Sequence, residues 1–450
     1  MKSHMHPDAI RTLFSQAMSD MYQAEVPQYG TLIELVRDVN AQTLAADPSL
    51  QAQIEAAGEF DRLDIERHGA IRLGTPAELS AIRRMFAVMG MFPVGYYDLS
   101  VAGIPVHSTA FRPIDQTSLS RNPFRVFTSL LRLDLIEDRD LAIKAKDILD
   151  SRQIVTDKAF ALIDQAEQNG GLTQEQAAQF VAQALETFRW HSKATVNSDT
   201  YHALAQAHRL IADVVCFKGP HINHLTPRTL NIDAVQAQMP DRGITPKAVI
   251  EGPPRRKTDI LLRQTSFKAL EEAVIFQDQT GSHTARFGEI EQRGVALTAK
   301  GRAVYDQTLT QARETAARSS NSYETVLKGA FNALPDTWEA LRAKGLAFFK
   351  YRVGDHPVSD TAASVSALLN QGCLIAEPQI YEDFLPVSAA GIFQSNLKAD
   401  DQSNYEGSPN QQAFETALGA KVVDEIAHYA KIERESLHAA LTTLKQTHLM

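Results

Sequence analysis

The sequence predicts an α+β chain in which glycine-punctuated strands carry large helical additions. Three observations point there. Short runs with period-two alternation, such as "ERHGAIRLGT" (66–75) and "TARFGEIEQRGVALT" (284–298), read as strands. Long stretches with apolar residues three and four apart read as amphipathic helices. Hydrophobic content of 44% and charged content of 22% over 450 residues suit a globular protein with a sizeable core.

Taken in order, "PDAIRTLFSQAMSDMYQAE" (7–25) and "GTLIELVRDVNAQTLAA" (30–46) open the chain as helices. The strand around His68 follows, then a helix begun by Thr75 as N-cap with Pro76 in its first turn, and ended by Gly90. "FPVGYYDLSVAGIPVHSTAFRPI" (92–114) alternates and is broken by glycines, giving two or three strands. Residues 123 to about 216 read as helical throughout, a mostly helical insertion or cap on a sheet domain, "LTQEQAAQFVAQALETFRWH" being strongly periodic. Strand character returns from "GPHINHLTPRTL" (219–230), most clearly in "KAVIEGPP", "DILLRQTSF" and "TARFGEIEQRGVALT". From about 330 the pattern is mixed, and a helix closes the chain from about Asp424. No linker announces a cut, so residues 1–450 are expected to form a single elaborated domain.

The formal net charge of -9 argues against general nucleic-acid binding, and "PPRRK" (253–257) is too short to reverse that. Cys216 and Cys373 sit in apolar contexts without a CxxC, as buried free thiols of a reducing compartment do. No apolar run is long enough to span a bilayer and no signal-peptide core precedes the first helix, so a cytoplasmic protein is expected.

Strand side chains alternate, so His68, Ala70 and Arg72 share one face while Gly69, Ile71 and Leu73 offer an apolar one. In the glycine- and proline-rich "KGPHINHLTPR", His221 and His224 are both candidate metal ligands. Alternation in "GEIEQRG" puts Glu289, Glu291 and Arg293 on one face. Two buried carboxylates there would need a cation between them, either a metal or an arginine such as Arg293. His107 reads as a core histidine, and His202, His208, His428, His438 and His448 as packed or solvated helical residues. Two histidines and a carboxylate form the ligand set of non-haem Fe(II) oxygen chemistry, which Zn, Mn or Co could also occupy. An arginine near such a site suits a carboxylate substrate, which guanidinium binds through two parallel hydrogen bonds.

"ERHGAIRLGT", "FAVMGMFPVGYYDLS", "GIPVHSTAFRP", "GPHINHLTPRTL", "TARFGEIEQRGVALT" and "YEDFLPVSAAGIF" together resemble the 2-oxoadipate dioxygenase/decarboxylase family, also called D-2-hydroxyglutarate synthases, over nearly the whole chain. The resemblance implies a vicinal-oxygen-chelate-like fold, a curved β-sheet forming a metal-holding cup. It implies Fe(II) held by His68, His224 and a glutamate, with Glu289 favoured by the similar "E-I-x-Q-R" strand of hydroxyphenylpyruvate dioxygenases and Glu291 as the alternate. It implies that Arg72, Val387 and Ser388 bind substrate. The implied reaction takes 2-oxoadipate and O2 to (R)-2-hydroxyglutarate and CO2, in lysine catabolism. Two other readings of the same residues are an oxygen-independent glyoxalase-like isomerase or lyase and a non-catalytic dicarboxylate-binding protein.

Overall fold

The computed structural model describes residues 3–56, 58–358, 364–385 and 409–450. Its contacts divide the chain into two compact units. The first comprises residues 1–251, 264–292 and 386–423, and the second 252–263, 293–385 and 424–450. The class is mixed α+β, as the two periodicities of the sequence indicate.

In the first unit, β1 (Arg67–Leu73), β2 (Phe92–Asp98), β3 (Val106–Arg112), β4 (Arg125–Leu131) and β5 (Leu225–Pro227) form one sheet. Its order is β2-β3-β4-β1-β5. Only the β1–β4 pair is parallel, with His68 beside Arg125; β5 is antiparallel to β1, with His68 opposite Thr226. Strand β1 therefore has neighbours on both edges, and six of its seven residues are buried. Ile71 and Leu73 enter the main core, as their face of the strand requires. The opening helices Pro7–Glu25 and Pro27–Ala46 pack into the same core through Phe14, Met18, Tyr22, Leu32 and Leu35. Helix Pro76–Val88 begins as its sequence indicates: the Thr75 side chain accepts from the Glu78 amide, and Pro76 needs no donor.

Beyond the sheet lie β6 (Leu262–Ser266), β7 (Glu271–Ile275), β8 (Thr280–Thr284) and β9 (Glu289–Arg293). They pair as β6–β9 and as the antiparallel hairpin β7–β8.

The second unit has its own core, around Ile260, Val295, Tyr305, Phe331, Phe349 and Tyr429. Strands β10 (Phe349–Val353) and β11 (Leu374–Pro378) pair antiparallel, and the C-terminal helix Glu425–Thr443 starts at an Asp424 N-cap.

Two expectations are corrected. The span from 123 to about 216 is not helical throughout, because it opens with β4, an interior strand of the sheet. All seven residues of "RVFTSLL" are buried, so no alternation marks the strand. The helices begin afterwards, at Arg139–Asp150, and run to Arg209–Val215. "KAVIEGPP" forms no strand; Pro246 and Glu251 make isolated bridges to Phe267 and Gln264. Among the described residues, no helix is long and apolar enough to cross a membrane.

Candidate metal centre

His68, His224 and Glu289 come from three distant parts of the sequence and meet inside the first unit. One donor atom from each lies within 4.8 Å of the others. All three residues are at most 1% exposed. His68 is the second residue of β1, Glu289 the first of β9, and His224 immediately precedes β5. The 222–224 segment is fastened to β1, since the Asn223 amide donates to the Ala70 carbonyl at 3.0 Å. From the first helix, the Tyr22 hydroxyl bonds the carbonyls of Asn223 at 2.9 Å and Phe287 at 2.8 Å. Each of those carbonyls lies within two residues of a member of the cluster.

His68 Nε2 is 3.0 Å from Glu289 Oε1, and His224 Nε2 is 3.8 Å from the same oxygen. Two donors about 2.1 Å from one ion and at right angles would be about 3 Å apart, so the first distance is that of neighbouring ligands. Thr226 Oγ1 at 3.1 Å and Gln264 Nε2 at 2.9 Å also bond Glu289 Oε1 and fix the carboxylate. Glu289 Oε2 and both ring nitrogens of His224 are buried without a hydrogen-bond partner among the described residues. Such groups carry a desolvation penalty that a cation would relieve. Two imidazoles and a carboxylate are also a donor set that divalent transition metals take. The residues therefore fit a metal ion.

Glu291 occupies a different place from Glu289. Its Oε2 lies 3.0 Å from His68 Nδ1, on the far side of the ring from Glu289. That is the position of a carboxylate that orients a ligand histidine. Arg125 Nη1 is 3.9 Å from Glu291, and Arg125 Nη2 bonds Glu66 at 2.8 Å. Glu66 also pairs with Arg62 and Arg228. Arg125 thus stands beside the second carboxylate, and Arg293 donates to the carbonyls of Tyr381 and Asp383.

Burial and neighbouring charges act differently on each group. Burial pushes His224 down to about 4, leaving its imidazole neutral at pH 7. His68 is also pulled down by burial, but Glu291 and Glu289 outweigh that and raise it. Glu289 is pushed up by burial, yet the two imidazoles hold it below the usual carboxylate range.

Arg72 lies four residues along β1 from His68, roughly 13 Å in strand length. Its Nη1 donates to Asp213 Oδ2 at 2.6 Å and to Asn223 Oδ1 at 3.0 Å. His221, the other histidine of "HINH", does not join His224. Its Nε2 is 3.4 Å from Asp213, and Trp190 packs edge-on against its ring. His107 is a core residue on β3, 3.3 Å from the Tyr96 hydroxyl and against Phe414. Val387 and Ser388 lie outside the described residues.

Sequence reasoning passed over Asp213, Arg125, Thr226 and Gln264. A signal existed for two of them: a lone acid in apolar "LIADVVC" and an arginine opening an apolar strand. Thr226 and Gln264 matter only through contacts between distant segments.

Comparison with known proteins identifies the family. Residues 14–396 match the family described as 2-oxoadipate dioxygenase/decarboxylase. An Escherichia coli K12 protein of that name is 56% identical over 446 residues, covering 97% of this chain and 98% of the relative. A Pseudomonas putida protein of that name is 54% identical, covering 97% of each. The crystal structure of a Pseudomonas putida hydroxyglutarate synthase in complex with 2-oxoadipate superposes with a TM-score of 0.92 at 52% identity, covering 99% of this chain and 100% of that one. The chain belongs to the 2-oxoadipate dioxygenase/decarboxylase family.

Proposed function

We propose that this protein is a cytoplasmic Fe(II)-dependent dioxygenase/decarboxylase that converts 2-oxoadipate and O2 to (R)-2-hydroxyglutarate and CO2, in lysine catabolism. The observation that carries the reading is the buried His68–His224–Glu289 cluster in a chain 56% identical to a relative named for this reaction. The reaction balances: one oxygen atom enters the new carboxylate, the other becomes the 2-hydroxyl, and C1 leaves as CO2.

His68, His224 and Glu289 would hold the ion, and the sheet around them would serve as the vicinal-oxygen-chelate cup. Bound there, Fe(II) supplies chelation and polarisation of the 2-oxo acid and activation of O2. The chain's residues do the rest. Glu291 holds the His68 ring by Nδ1 and keeps Nε2 turned toward Glu289. Thr226 and Gln264 keep the Glu289 carboxylate from rotating. Arg72 binds the far carboxylate of the substrate, which fixes chain length and the hydrogen presented for replacement. Val387 and Ser388 are assigned to the substrate pocket on the family resemblance. Burial of the cluster excludes water from the reacting centre.

The test is anaerobic loading with Fe(II), addition of 2-oxoadipate, then a measured pulse of O2. One O2 consumed per (R)-2-hydroxyglutarate, identified by chiral chromatography and lost in His68→Ala, is expected. Metal binding without O2 uptake would sink the dioxygenase reading and favour an oxygen-independent metalloenzyme. Tight binding of 2-oxoadipate without turnover would leave a dicarboxylate-binding protein.

A further inference from the structure

Asp213 lies on the helix Arg209–Val215, between Leu210, Ile211, Ala212, Val214 and Val215, and is 7% exposed. A carboxylate buried in so apolar a segment must be paired. Its two oxygens divide their partners. Oδ2 accepts from Arg72 at 2.6 Å. Oδ1 faces His283 Nε2 at 2.9 Å and His221 Nε2 at 3.4 Å. Each imidazole is held in turn. The Tyr201 hydroxyl is 2.8 Å from His283 Nδ1, and Trp190 stacks on His283 and meets His221 edge-on. Asp213 is held well below the usual carboxylate range: burial opposes ionisation, but His221 and Arg72 outweigh it.

These partners leave Asp213 little freedom. The guanidinium is gripped at Nη1 by two acceptors from different segments, Asp213 and Asn223. Asn223 is itself tied to β1 through Ala70. A long, flexible arginine side chain is thereby set in one orientation before any ligand arrives, which lowers the ordering penalty of binding. With three cationic or donor groups already on Asp213, the cluster is not a second cation site.

We propose that Asp213 is a positioning residue that fixes the Arg72 guanidinium for the far carboxylate of a dicarboxylic 2-oxo acid, and so sets the preference for dicarboxylic over monocarboxylic acids. This rests on the assignment of Arg72 to the far carboxylate. Charge alone would give the opposite result. Removing an anion beside Arg72 would strengthen its attraction for a carboxylate, so the direction of the effect separates positioning from electrostatics.

The test is anaerobic calorimetric binding of 2-oxoadipate and of 2-oxohexanoate, which has a methyl group in place of the far carboxylate, to the metal-loaded protein. Wild type, Asp213→Ala and Asp213→Asn are compared at equal metal content and with melting temperatures recorded. The wild type is expected to prefer 2-oxoadipate, and Asp213→Ala to lower that preference about tenfold or more. Asp213→Asn, which can still offer an oxygen to Nη1, is expected to restore part of it. General damage to the fold would weaken both acids alike and leave the ratio unchanged. An unchanged or raised ratio in Asp213→Ala overturns the proposal while the proposed function stands. A wild type that binds neither acid, or binds them equally, overturns the proposal together with the role given to Arg72.

Discussion

Glu289 and Glu291 are two residues apart on one face of one strand, yet the structure gives them different neighbours. Glu289 faces both histidines of the cluster, whereas Glu291 faces the outer nitrogen of His68 and stands beside Arg125. The two should therefore fail differently. Glu289→Ala removes a donor from the cluster, and stoichiometric metal binding is expected to be lost. Glu291→Gln keeps the shape and withdraws the charge behind His68. Metal affinity is then expected to fall by about 10–100-fold while one equivalent still binds at saturation. Titration with Fe(II) under argon, read by metal analysis of the separated protein, checks both. Should Glu291→Gln lose all metal and Glu289→Ala keep it, the ligand assignment would have to be exchanged.

At the scale of an element, β1 is shaped to bring the 222–224 segment close. A Cβ built on Gly69 would lie 2.6 Å from Ile222 Cδ1 and 2.9 Å from the carbonyl oxygen of His224. A side-chain methyl could shift, but a backbone carbonyl next to a ligand residue yields less easily. Gly69→Ala is thus expected to destabilise the protein by about 1–3 kcal/mol and to weaken metal binding as His224 is displaced. Chemical denaturation and metal titration measure the two effects; full metal affinity in a destabilised variant would mean that Ile222 alone yields. The alternation in "ERHGAIRLGT" made the faces of this strand legible, because one face is apolar and the other is not. The same logic placed Glu289 and Glu291 together. It could not find β4, whose residues are buried on both faces, and it could not separate His221 from His224. Their partners differ: Asp213 comes from the helix just upstream of His221, and Glu289 from a strand far along the chain. Arg125 was passed over because charge balance asks for a cation, a metal or an arginine, but does not say which residue comes near.

For the whole molecule, the candidate metal ligands lie on segments widely separated in sequence, at 68, 224 and 289, and all within the first unit. An unfolded chain cannot present them together, so any ion held there must stabilise the folded first unit. Each tenfold rise in free metal above the dissociation constant is then expected to add about 1.4 kcal/mol. Hydrogen exchange locates the effect. Amides of β1, β5 and β9 should gain protection on metal addition, because those strands carry or adjoin the three candidate ligands. His68→Ala should remove both the gain in protection and the rise in melting temperature. The variant also relieves Glu289 and Glu291 of a partner, so its metal-free stability serves as its own baseline. A wild-type melting temperature that saturating Fe(II) leaves unmoved would show that these three residues do not hold an ion together, however close their donor atoms lie.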